Sequence, residues 1–157
     1  MSAKRLVVGC VALVTATLWS TLLVAQAPRL ALGLSVLAQS AEPVLVRVMG
    51  SASVLLSIVG AIVVLPLALA GIGLMLGMGA TEQILRLCCL AGLLTAGFVV
   101  TAFGAVVLPS LGTAGALRLG SGTLLDLVGA ANLLLLHGTV LAALTSGRFP
   151  TPRLDAV

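Results

Sequence analysis

Four side chains in this sequence join an ionisable group to a setting where a charge or proton could do work: Glu82, Arg86, Asp126 and His137. Each stands in or beside a long uncharged apolar run, where burying such a group is costly and seldom idle. His137 is the sharpest of the four, near the middle of the run 124–146. An imidazole at that depth could ligate a haem, pass a proton or hydrogen-bond a quinone, which makes His137 the candidate cofactor residue. Haem usually takes a second axial ligand, and this is the chain's single histidine. Met75 and Met78 lie near the end of another run, at a different depth. The competing reading is a neutral imidazole bonded to a neighbouring helix, its own or a partner's.

Asp126 precedes His137 by eleven residues, so the two share a helix face about 16 Å apart along the axis. Thr123-x-x-Asp126 before an apolar run has the pattern of a capping box, in which the carboxylate satisfies free helix N–H groups. A proton or cation relay is the alternative, although one His and one Asp supply few stations. Glu82 and Arg86 are four apart, in the favoured order for a helical ion pair. No nucleophile–base pair and no cluster of metal ligands is legible, so no catalytic residue, metal site or bound cofactor is expected. Cys10, Cys88 and Cys89 lie within apolar runs and read as small packing residues. Hydroxyls at positions such as Thr15, Ser53, Ser57, Thr95 and Thr101 read as groups that bond back to the preceding turn or across helices.

The elements that must position these residues follow from composition. Of 157 residues, 61% are apolar and 8% charged. Soluble domains carry about 25% charged residues. Mean hydropathy is +1.31. So few charges cannot clothe a soluble surface, and the expected class is an all-α integral membrane protein. Four apolar runs, 6–28, 48–79, 84–108 and 124–146, the third uncharged from 87 and the fourth carrying only Asp126, each have the ~20 residues needed to cross a bilayer. They predict a four-helix bundle in a single membrane domain, 1–157. Pro28 and Arg29 predict the end of the first helix, with an interfacial segment over 30–47. The run around Pro66 is too short for two crossings and reads as one long, tilted or kinked helix starting near Pro43. Gly79 to Glu82 predicts a tight turn into the third helix, with Thr81 as N-cap and Pro109 as its close. Lys4 and Arg5 before an apolar stretch, then Ala25-Gln26-Ala27, imitate a signal peptide, but the stretch exceeds a typical signal core and reads as a retained span.

Small residues suggest where helices approach closely: Gly73-x-x-x-Gly77 in the second span, and Gly97, Thr101 and Gly104 on one face of the third. Four spans put both termini on one side, with Lys4, Arg5, Arg86, Arg148 and Arg153 against Arg29, Arg47 and Arg118 on the other. That excess favours cytoplasmic termini. Scarcity of residues with AT-rich codons suggests a GC-rich bacterium and its inner membrane. The net charge of +4 is scattered singly between apolar runs, which argues for topology signals and against nucleic acid. The single Trp19 cannot supply the aromatic belts that usually anchor spans. Neighbouring proteins could provide that anchoring. The expected function is thus a non-catalytic accessory subunit of a larger plasma-membrane complex, respiratory or transport-related, with membrane lipids and other integral subunits as partners. The alternative is a homo-oligomeric transporter or channel for ions or small solutes that uses Asp126 and His137.

Overall fold

The computed structural model describes residues 3–38, 44–111 and 121–146. Four helices account for nearly all of them: α1 (Ala3–Ala38), α2 (Val44–Met75), α3 (Thr81–Leu111) and α4 (Ser121–Thr145). Each contains a stretch long and apolar enough to span a membrane: Ala3–Pro28, Gly50–Met75, Thr81–Ala105 and Leu125–Thr145. The protein is an all-α, multi-pass membrane protein. Each helix packs on the next, and α4 closes the ring against α1. Every neighbour in that ring is antiparallel.

Two helix ends differ from the sequence reading. Pro28 does not terminate α1, which runs on to Ala38. Proline forfeits one i→i−4 hydrogen bond, here to the Val24 carbonyl, but the Leu- and Ala-rich residues beyond it are strong helix formers. The apolar part of the presumed interfacial segment is therefore a prolongation of α1; residues 39–43, including Pro43, lie outside the described residues. Likewise α3 continues two residues past Pro109. Pro66, by contrast, sits inside one continuous α2, as its position in the uncharged run required.

The α2–α3 connection is a tight cap. Gly77 has φ 86°, a left-handed conformation that glycine adopts without steric cost. The Met78 N–H donates to the Gly73 carbonyl at 2.9 Å and the Gly77 N–H to Leu74 at 3.1 Å. Those are the two bonds of a Schellman motif, and they satisfy carbonyls that a helix end otherwise leaves open. Thr81 does not act as an acceptor cap: its hydroxyl donates back to the Met78 carbonyl.

The core between the helices is formed by Trp19, Leu22, Leu56, Leu67, Leu85, Val99, Phe103, Leu133 and Leu144 with small residues interleaved. Apolar side chains gain little by leaving lipid, so close packing and cross-helix hydrogen bonds must hold such a bundle. Glycines allow that closeness. A Cβ at Gly71 would stand 3.1 Å from the Ala12 methyl, and one at Gly9 would meet Gly71 and Met75. At Gly129 it would stand 2.5 Å from Leu22.

Candidate functional site

His137 lies in a layer to which all four helices contribute. Trp19 of α1 donates its indole N–H to His137 Nε2 at 3.3 Å. On the other side of the imidazole, Nδ1 is 2.7 Å from the Leu133 carbonyl one turn back. A carbonyl only accepts, so Nδ1 carries the proton and Nε2 is the acceptor. The two rings meet edge-on, 78° apart with centroids separated by 6.0 Å. Two glycines make room for them. A Cβ at Gly92 of α3 would overlap the imidazole, and one at Gly60 of α2 would stand 2.6 Å from the indole. Trp19 and His137 are both wholly buried.

Asp126 lies in a second layer, toward the end of the bundle where α4 begins. It does not cap α4, because the helix starts at Ser121 and Asp126 falls in its second turn. The side chain of Thr123 lies outside the described residues. Asp126 reaches across to two other helices instead. Gln26 of α1 donates its amide to Oδ1 at 2.9 Å, and Ser53 of α2 donates its hydroxyl to Oδ2 at 3.0 Å. The Ser57 hydroxyl is 2.8 Å from the Gln26 carbonyl oxygen and 3.0 Å from the Ser53 backbone carbonyl. These residues enclose a cavity of about 10 Å³, the room of a single water. The spacing explains the stacking of the layers: Trp19 to Gln26 and Gly60 to Ser53 are both two helical turns, so each pair stays on one face.

The structure does not join Asp126 to His137. Between them Leu22 packs onto Gly129, and the buried Ala130 and Leu133 continue the apolar layer. Among the described residues, no group of three His, Cys, Asp or Glu side chains comes together.

At the opposite end, Arg86 forms the expected ion pair with Glu82 at 2.6 Å. The same guanidinium donates to the Leu144 carbonyl at 3.2 Å. A cation there meets the negative end of α4 and ties it to the start of α3. Cys88 and Cys89 are buried, whereas Cys10 faces outward, and all three are free thiols.

The small-residue positions separate. Gly73 does pack closely, against Thr81, while Gly77 serves the turn. The Gly97/Thr101/Gly104 face is not a close helix–helix contact within this chain. A Cβ at Gly97 would make only an ordinary contact with a Leu134 methyl of α4 at 3.8 Å, one at Gly104 would meet nothing within 4 Å among the described residues, and Thr101 is exposed and donates to its own helix at Gly97. Besides Gly73, the tightest approaches fall at Gly9, Gly60, Gly92 and Gly129. Gln26, Gly60 and Gly92 escaped sequence reasoning. Gln26 was read within a cleavage-like tripeptide, and a polar amide two turns from the only tryptophan was the available signal.

Fold and site together define a four-span helical membrane protein whose buried polar groups bind its helices to one another. No protein-family model, no curated protein and no solved structure matches the chain.

Proposed function

We propose that this protein is a non-catalytic accessory subunit of a larger complex in a bacterial inner membrane, respiratory or transport-related, with both termini cytoplasmic. The observation that carries the reading is how the intramembrane polar groups are used. Both nitrogens of His137 are engaged by Trp19 and Leu133, and Gly92 seals the ring's flank. The oxygens of Asp126 each accept a bond from a different helix. Groups deployed in this way hold a bundle together and are not free to meet a substrate. A transport path through Asp126 and His137 has less support, since apolar side chains fill the space between their levels.

Extraction in mild detergent tests the reading. A stoichiometric set of larger integral subunits is expected to accompany the chain. Recovery as a homogeneous assembly of this chain alone, with solute flux in liposomes abolished by Asp126→Asn, would overturn it in favour of a transporter.

A further inference from the structure

The outward face of α4 differs from those of α1 and α2. On α2 the outward residues Leu55, Ile58, Ile62, Leu65, Leu69 and Ile72 are all aliphatic, as lipid requires. The outward threonines of α1, Thr17 and Thr21, each spend their hydroxyl on a carbonyl one turn back. On α4 the exposed line runs Leu125, Val128, Asn132, Leu135, Thr139 and Ala142. Its spacing alternates three and four, which fits the a/d period of two supercoiled helices but is shared by the α2 line; what sets α4 apart is the carboxamide within it.

Asn132, the chain's only asparagine, stands in the middle of that line. It is about 10 Å inside the span that begins at Leu125, well within a ~30 Å hydrocarbon core. A carboxamide offers two N–H donors and an oxygen with two lone pairs. Among the described residues its bond is one N–H to the Val128 carbonyl at 2.8 Å. A helix can absorb a hydroxyl or a single N–H in this way, but it offers no donor to the amide oxygen. In lipid, that need is met by a hydrogen bond to another helix.

We infer that α4 pairs with α4 of a second copy of this chain, with Asn132 facing Asn132 across a two-fold axis along the membrane normal. Copies inserted with one topology are parallel and hold each residue at the same depth. The amide meets its own image there, and a carboxamide is self-complementary, each giving an N–H to the other's oxygen. An isologous contact of this kind needs no second kind of partner. A single buried Asn in an a/d seam also fixes register and limits the number of strands. The inference is independent of the accessory role, since a dimer can stand alone or within a complex.

The test uses the full chain in phosphatidylethanolamine–phosphatidylglycerol liposomes, with single-molecule photobleaching across a range of protein densities. A monomer–dimer equilibrium is expected. Asn132→Leu should weaken it roughly three- to tenfold, matching about 0.6–1.4 kcal/mol for a cross-helix hydrogen bond in lipid. Position 132 faces outward, so the Trp19 emission spectrum should be unchanged and would certify that the variant is folded. In a Cys10→Ser background, Leu135→Cys should form an intermolecular disulfide on oxidation, and Leu65→Cys on α2 should not. Monomers at every density, dimers indifferent to Asn132→Leu, or equal cross-linking from both faces would each overturn the inference. So would an Asn132-dependent contact with a different membrane protein by a chain that stays monomeric alone.

Discussion

Gly92 and His137 show how one missing side chain can decide whether a ring fits. Gly92→Ala should push the imidazole off the Trp19 indole, and overpacking of this kind costs roughly 1–3 kcal/mol. Gly104→Ala is the matched control, with open space where its methyl would go. Detergent-titrated unfolding followed by Trp19 fluorescence should separate the two variants clearly. His137→Leu should also destabilise, because the buried indole N–H loses its acceptor, a penalty of about 1–3 kcal/mol. His137→Gln keeps an acceptor and should fall nearer to wild type, leaving any host complex assembled. Equal losses for Leu and Gln would mean that shape, not the hydrogen bond, is what His137 contributes. The sequence marked His137 through its depth in an apolar run, but Trp19 lies 118 residues away. No local pattern encodes that pairing. The bonds of Asp126 to Gln26 and Ser53 are hidden for a related reason: Thr123-x-x-Asp126 is a local motif, and it says nothing of partners on other helices.

Helices were legible where an uncharged run met a strong breaker, and less so where the breaker was proline alone. The glycine-rich end of α2 is recognisable as a turn, whereas Pro28 and Pro109 read as ends and lie inside their helices. A proline removes one hydrogen bond, which Leu- and Ala-rich flanks outweigh. A left-handed residue redirects the chain, and only glycine adopts that conformation freely. Gly77→Val should therefore strain the α2–α3 cap, with left-handed geometry costing a β-branched residue upward of roughly 1–2 kcal/mol. Gly79→Ala, two residues on and without neighbours within 4 Å, should be nearly silent. Thermal stability of the purified protein is the measurement, and comparable losses for both would remove the special role of Gly77.

Membrane residence and the number of spans came from composition and run length alone, because hydrocarbon thickness sets a length scale that a sequence must match. Which faces turn inward did not, since all four helices are apolar around most of their circumference. Reporter fusions after Gly120 and after Val157 should sit on opposite sides of the membrane, with the Val157 fusion cytoplasmic. Equal reporter activity at the two points would break the four-span topology. The short turn has a further consequence for how the protein is made. Five residues, Leu76 to Ala80, separate α2 from α3 and reach at most about 18 Å when extended. That is well short of the hydrocarbon thickness, so the end of α2 and the start of α3 must lie on one face of the membrane however the chain inserts. Neither arm can be inverted alone, because the turn would then have to cross the bilayer. A topological error in one arm is therefore forced on the other.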